Sequence, residues 1–200
     1  MDNCIYTAHC TEKFCDKSCP ILAEVSYLME RNGITVNNAV VNTTNKDYPE
    51  DVVLSTIDKS QGDVKSVITA DTVSVANLFT YYAICTNWQG SRLHCNVYNL
   101  KYGTYINQLK QSWNTKQEST ELEYMRIWAE SAKILIISAI DYVTFNDFEC
   151  QTLLSLIQSR KTESKSTIII SPNPKYLVGK SNFFNRVLDV IQPGKRGGLL

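Results

Sequence analysis

The sequence predicts a three-layer α/β/α sandwich with a parallel sheet, preceded by a small cysteine-rich knuckle and a helix. From about residue 51, short apolar runs alternate with longer segments whose apolar residues recur at helical spacing. Two of the short runs, residues 133–137 and 166–171, contain unbroken stretches of isoleucine and leucine, which are typical of central strands covered on both faces. A chain of 200 residues with 44% hydrophobic residues can also bury a sizeable core.

Each element follows from the local pattern. A helix is predicted from Pro20, because apolar residues recur at helical spacing up to Met29 and Gly33 is a natural stop. Residues 33–50 are rich in Asn and Thr and predict an irregular connection. Strands are predicted at residues 64–70, 93–100, 133–137 and 166–171. Helices are predicted at residues 74–88, 104–113, 120–131, 146–160 and 181–191. We therefore expect a cysteine-rich module with its helix at residues 1–35 and an α/β domain at residues 51–200.

Composition and charge exclude several classes of protein. Twenty basic and twenty acidic residues cancel, and the pI of about 6.7 argues against a protein that coats nucleic acid. No apolar run reaches the ~18 residues of a membrane span, so we expect no membrane association. The N-terminus lacks the basic-then-apolar layout of a signal peptide. We therefore expect a cytoplasmic protein whose seven cysteines are reduced or metal-bound.

Four cysteines crowd the N-terminus and predict a metal site. The candidate ligands are Cys4, Cys10, Cys15 and Cys19, with His9 as an alternative to Cys10. Zinc takes four soft ligands in a tetrahedron, and a segment this short needs the metal to fold. An iron–sulfur cluster is the alternative, although the run lacks the ferredoxin spacings. Free cysteines on a tail are the remaining interpretation.

Four segments in the second half of the chain follow one another in a recognisable order. Residues 133–141 are an apolar strand and its end, residues 148–160 a helix, residues 165–171 the next strand, and residues 184–189 a segment that contains an arginine. In order and spacing, from residue 64 onward and above all over residues 105–189, the chain resembles the ATPase domain of DnaC- and DnaI-type replicative helicase loaders, which belong to the AAA+ class. In those loaders the strand that matches residues 133–141 ends in two acidic residues. So compact a chain suits a phage or mobile element.

The departures from the family concern the nucleotide site. A P-loop needs G-x4-G-K-[ST], with glycines that admit the phosphates and a lysine that neutralises them. The matching residues 69–76 contain no glycine; Val75 stands at the lysine position and Ala76 at the Ser/Thr position. Ser138 and Ala139 replace the acidic pair that would hold magnesium. The degenerate site therefore comprises Thr69, Thr72, Ser74, Val75, Ala76, Ser138 and Ala139.

The resemblance implies a role in DNA replication without catalysis. We expect an interaction protein that binds a replicative helicase, another ATPase or DNA, does not hydrolyse ATP, and could assemble into an oligomer. Arg186 matches a family position that often reaches a neighbour's nucleotide, although a surface pair with Asp189 is the simpler interpretation. The aromatic residues near Lys101 and Lys110 could stack on single-stranded DNA, although burial is the simpler explanation; they are Tyr98, Tyr102, Tyr105 and Trp113. The alternative function is a divergent, active ATPase with atypical phosphate contacts.

The metal site is tested by elemental analysis. Purified full-length protein should contain about one zinc ion per chain, because one tetrahedral site uses four such ligands. Cys15→Ser should lose the metal, whereas Cys85→Ser, remote in sequence from the cluster, should keep it. Metal-free protein with an intact N-terminus would contradict the prediction.

Overall fold

The structure is a computed structural model, and it describes residues 20–34, 46–87, 96–177 and 179–192. The described helices are α1 (Pro20–Arg31), α2 (Glu50–Lys59), α3 (Thr72–Asn87), α4 (Tyr102–Thr115), α5 (Thr120–Ser131), α6 (Asp147–Thr162) and α7 (Phe184–Ile191). The strands are β1 (Val64–Ile68), β2 (Val97–Lys101), β3 (Ile134–Ser138) and β4 (Ser166–Ser171). The predicted metal ligands lie outside the described residues; they are Cys4, His9, Cys10, Cys15 and Cys19.

The four strands form one parallel sheet in the order β1-β4-β3-β2. Every residue of the two central strands, β3 and β4, is buried. Alternate side chains of the sheet point to two separate cores, one formed with α1, α2 and α3 and the other with α4, α5, α6 and α7. The prediction of a three-layer α/β/α fold with a parallel sheet is thus confirmed. Among the described helices, none combines the length and apolar character needed to cross a membrane.

The end of α1 covers the open edge of β2. Arg31 Nη2 donates a hydrogen bond to the carbonyl of Val97 at 3.0 Å, and the amide of Asn99 donates to Asn32 Oδ1 at 2.6 Å. Asn32 is buried, and its Nδ2 donates to the carbonyl of Leu28 at 2.7 Å. Because an unpaired strand edge invites pairing with another chain, these side chains protect β2. Helix α1 therefore packs as part of the α/β unit, in the same core as α3.

A buried arginine joins the helices α5 and α6 to the sheet at the amino end of its strands. Arg160, near the end of α6, is 1% exposed. Its guanidinium donates to the carbonyls of Ala129, Ala132 and Ser166 at 2.8, 2.9 and 2.6 Å, and its Nε donates to the hydroxyl of Thr167 at 3.0 Å. Burial lowers the pKa of Arg160 to about 10, so it remains charged at neutral pH. The carbonyl at the end of α5 helps to balance that charge, because a helix C-terminus is electronegative.

Removing this guanidinium should strongly destabilise the fold. Arg160→Met leaves buried carbonyls without donors, each costing about 1–3 kcal/mol, so we expect the free energy of unfolding to fall by about 3 kcal/mol or more. Lys161→Met, at the exposed neighbouring position, should change it by less than ~0.5 kcal/mol. Chemical denaturation measures both. A loss below ~1 kcal/mol for Arg160→Met would contradict the role assigned to this residue.

Candidate functional site

The residues that the sequence suggests as a degenerate nucleotide site lie at the carboxyl edge of the sheet. Strand β1 ends at Ile68 and α3 begins at Thr72, so only residues 69–71 connect them. The amide of Thr69 donates to the carbonyl of Ser171 at 3.0 Å and thereby continues the pairing with β4. A P-loop cradles phosphates with the backbone amides of a longer glycine-framed loop. The three-residue turn provides no such cradle.

Asp71 occupies the N-terminus of α3. Its carboxylate accepts a hydrogen bond from the amide of Ser74 at 3.0 Å, which makes it the N-cap of this helix. The backbone amide of Asp71 donates to Thr69 Oγ1 at 3.2 Å and fixes the turn. A helix N-terminus carries partial positive charge and commonly binds anions. Here the helix's own carboxylate fills that position, so an incoming phosphate would meet a like charge.

The residues at the expected lysine and Ser/Thr positions lie in the core. Val75 and Ala76 are 0% and 1% exposed and pack with α3 against the sheet. Helix α3 begins two residues before the predicted start, which moves these positions into its second turn. Thr72 is therefore the residue that the structure brings to the start of the helix. Any phosphate at this edge would contact Thr72 and Asp71 before it reached Val75.

One contact across this edge joins α3 to the turn after β3. Thr72 is buried, and its Oγ1 donates to Asp141 Oδ1 at 3.4 Å. Asp141 is exposed and lies in a short 3-10 helix, Ile140–Tyr142. The sequence predicts Thr72 as a site residue but gives no indication of its contact with Asp141. Two of the predicted residues therefore contact a carboxylate at this edge: Thr72 through its side chain to Asp141, and Ser74 through its amide to Asp71.

Two neutral residues, Ser138 and Ala139, stand at the end of β3, where the family resemblance leads one to expect an acidic pair. Ser138 is buried, and its hydroxyl donates to Asn99 Oδ1 at 2.7 Å. Ala139 follows in a left-handed conformation with φ of 53°. Gly103, at the start of α4, packs on this turn so closely that an added Cβ would lie 2.8 Å from the Tyr142 Cβ. The turn is therefore held from two sides, and neither Ser138 nor Ala139 presents a metal-binding carboxylate.

Four exposed apolar side chains surround the same edge. They are Ile68, Val73, Tyr142 and Tyr176, which are 36%, 52%, 71% and 79% exposed. Ile68 ends β1, Val73 lies in the first turn of α3, Tyr142 follows β3 and Tyr176 follows β4. Parallel strands bring their carboxyl ends to one edge, and exposed apolar patches commonly mark interaction sites. We call these four residues the carboxyl-edge patch.

Arg186 lies on α7, which packs on α6 and on β1. The residue is exposed, and its guanidinium carbon lies 5.7 Å from the centroid of the Phe183 ring. A cation over an aromatic face is weakly attracted to it. Ser66 of β1 donates a hydrogen bond to the carbonyl of Val190 at 3.1 Å and fixes the far end of α7. Arg186 therefore presents its charge to solvent from an anchored helix.

The aromatic residues considered for base stacking are mostly internal. Tyr98, Tyr102 and Tyr105 are 6%, 0% and 9% exposed, so their ring faces are unavailable to bases. The stacking hypothesis is therefore wrong for these three residues, and the simpler explanation, burial, is confirmed. Trp113 is 60% exposed, and its ring centroid lies 4.4 Å from that of Phe148.

Lys110 is engaged by a buried carboxylate. Its Nζ lies 2.6 Å from Glu149 Oε1, and Glu149 also accepts hydrogen bonds from Thr144 and from the amide of Asn146. Burial alone would raise the pKa of Glu149, but these hydrogen bonds outweigh it and the net pKa is lowered. The ion pair stabilises the start of α6 and occupies a lysine that a DNA phosphate would otherwise attract.

Comparison of the chain with protein-family models, curated proteins and solved structures finds no match in any of the three. Any function assigned to the carboxyl edge therefore rests on its geometry and on the sequence resemblance.

The capping role of Asp71 can be measured directly. Asp71→Ala removes the acceptor for the amide of Ser74 and should lower the free energy of unfolding by about 1 kcal/mol. Asp71→Asn keeps a side-chain acceptor and should cost only a few tenths of that energy. Urea denaturation of the three proteins gives the comparison. Equal stability of the wild type and Asp71→Ala would show that the carboxylate does not cap α3.

Proposed function

We propose that this chain is a non-catalytic, AAA+-like interaction protein related to helicase loaders, which acts in DNA replication by binding a replicative helicase or another ATPase. The observation that carries the proposal is the filled N-terminus of α3. Asp71 occupies that end of the helix, and the preceding turn has three residues. The parallel α/β sheet is present, whereas the described β1–α3 connection lacks the phosphate-binding groups of a P-loop.

The lost groups supply most of the catalysis in phosphoryl transfer. That reaction relies on neutralising phosphate charge with a lysine, a metal ion and its carboxylate ligands. Val75 and Ala76 are in the core, and Ser138 is bonded to Asn99. We therefore expect no ATP hydrolysis by the isolated chain.

The N-terminal zinc module remains part of the proposal as a further partner-binding element.

The carboxyl-edge patch supports binding to a protein. Ile68, Val73, Tyr142 and Tyr176 offer apolar area on a rigid edge, and tyrosine is frequent among residues that dominate interface energies. The patch lies on anchored elements, because its neighbours Thr72 and Gly103 are buried. DNA is less well supported than protein as the partner, because Tyr98, Tyr102 and Tyr105 are buried.

One observation favours the alternative, a divergent ATPase. Thr72 Oγ1 and Asp141 Oδ1 lie 3.4 Å apart at the edge where P-loop ATPases hold magnesium with a hydroxyl and a carboxylate. Magnesium could use the same two groups here. Asp71 weighs against this alternative, since its carboxylate faces the position that the phosphates would occupy.

Arg186 provides a test with a partner. The partner is first identified by affinity purification of the tagged full-length chain from its native host. If Arg186 completes the nucleotide site of a partner ATPase, Arg186→Ala should lower the partner's ATPase rate at least ~10-fold at saturating concentration, since trans-acting arginines contribute 10³–10⁵ in well-studied cases. The measurement is the partner's steady-state ATPase rate with wild-type and variant protein.

Lys161→Ala is the matched control, because Lys161 is an exposed cation on α6. It should leave the partner's rate unchanged, and both variants should unfold within ~0.5 kcal/mol of the wild type. Equal rates with the wild type and Arg186→Ala would remove the trans-acting role. Failure to recover any ATPase with the tagged chain would count against the proposed function itself.

A further inference from the structure

A second exposed apolar surface lies beside β2, on helices that contribute no residue to the carboxyl-edge patch. It is formed by one face of α1 and one face of α5, and its members are Tyr27, Arg31, Tyr124, Ile127 and Trp128. We call it the α1–α5 face. Tyr27, Tyr124 and Ile127 are 46%, 50% and 46% exposed. Nothing in the proposed function uses this surface.

Ring contacts join the two helices into one surface. The guanidinium carbon of Arg31 lies 5.5 Å from the centroid of the Trp128 ring. Tyr124 stacks on Trp128 with centroids 5.4 Å apart and planes inclined by 15°. Tyr98 of β2 packs edge-on against the same indole at 5.5 Å. Trp128 therefore anchors Tyr124 and Arg31 in fixed positions, and the surface is formed before any partner arrives.

The exposed side chains have the spacing of a helix-docking stripe. Tyr124, Ile127 and Trp128 are separated by three and four residues, so they lie on one side of α5. Tyr27 and Arg31 are four residues apart and lie on one side of α1. Because Arg31 contacts Trp128, the two stripes adjoin. An amphipathic helix recognises such a surface with apolar residues at the same spacing.

Acidic residues lie beside this face, and the arginines of α1 and α5 are engaged in contacts of their own. Exposed carboxylates on α1 and α5 belong to Glu30, Glu121, Glu123 and Glu130. Arg31 donates to the carbonyl of Val97, and Arg126 pairs with Glu118 at 3.1 Å. On these two helices the exposed carboxylates outnumber the arginines, so their charge favours a basic partner. Complementary charge guides association and excludes acidic competitors.

We propose that the α1–α5 face binds a basic amphipathic helix of a partner protein. The partner's apolar residues would pack on Tyr124, Ile127 and Tyr27, and its lysine or arginine residues would face Glu123 and Glu130. The inference does not depend on the carboxyl edge or on the absence of nucleotide binding.

Two synthetic peptides test the proposal with the full-length chain. Each is about 18 residues long, or five helical turns, with leucines along one face; one has lysines on the flanks and the other has glutamates. The lysine peptide should bind, and the glutamate peptide should bind at least ~10-fold more weakly because of like charge. Fluorescence anisotropy of labelled peptide gives both affinities.

Variants locate the binding. Tyr124→Ala should weaken binding of the lysine peptide at least ~10-fold, as for a central interface residue, and Glu123→Gln should weaken it less. Tyr176→Ala removes a tyrosine of the carboxyl-edge patch that is more exposed than Tyr124, and it should leave binding unchanged. Far-UV circular dichroism verifies that each variant is folded.

Three results would overturn the proposal. The first is no binding of the lysine peptide at ~100 μM, a concentration far above the dissociation constants of ordinary helix-in-groove complexes. The second is equal affinity for both peptides. The third is an equal loss of peptide affinity in Tyr124→Ala and Tyr176→Ala. Sedimentation of the peptide-free chain adds a fourth. A dimer that Tyr124→Ala dissociates would assign the face to a second copy of this chain instead of a basic helix.

Discussion

Burial of β3 and β4 on both faces is the constraint on which the rest of the structure depends. Ile136 and Ile168 point to one core and Leu135 and Ile169 to the other, so helices must cover both sides. A parallel sheet also requires each connection to cross from one end to the other. The carboxyl ends of β1, β3 and β4 consequently meet at one edge. Thr72, Asp141 and the carboxyl-edge patch lie together there because of this topology.

The two ends of the sheet have different chemistry. At the amino end, Arg160 supplies donors to carbonyls from α5 and β4 and makes that end a structural junction. At the carboxyl end, Asp71 caps α3 and Asp141 accepts from Thr72, so carboxylates stand where an anion-binding protein would present donors. The scaffold is therefore suited to hold exposed apolar and acidic groups in place. This is the physical basis for proposing a binding role over a catalytic one.

The central elements could be predicted from the sequence, because unbroken runs of isoleucine and leucine have few alternatives to a buried strand. Helix α2 is missing from the predictions, since four of its ten residues are β-branched and disfavour helix. Burial of Val53 and Ile57 against α3 overrides that preference, and such a contact is invisible in the local sequence.

The candidate site could be predicted only in part. The sequence shows directly that residues 69–76 contain no P-loop motif. It does not show where α3 begins, because Asp71 can be recognised as an N-cap only once the helix after it is known. The contact between Thr72 and Asp141 joins residues far apart in the chain. The edge protection of β2 by Asn32 likewise depends on tertiary packing. Local patterns carry no information on either contact.

The claim that the carboxyl edge does not bind nucleotide is tested most directly by titrating magnesium and ATP into the purified full-length chain. Isothermal titration calorimetry with and without magnesium should show no saturable binding of ATP up to ~1 mM, which corresponds to about −4 kcal/mol. Thr72→Val should give the same null titration. Magnesium-dependent binding at micromolar ATP that Thr72→Val abolishes would contradict it and would establish a nucleotide site built on Thr72 and Asp141.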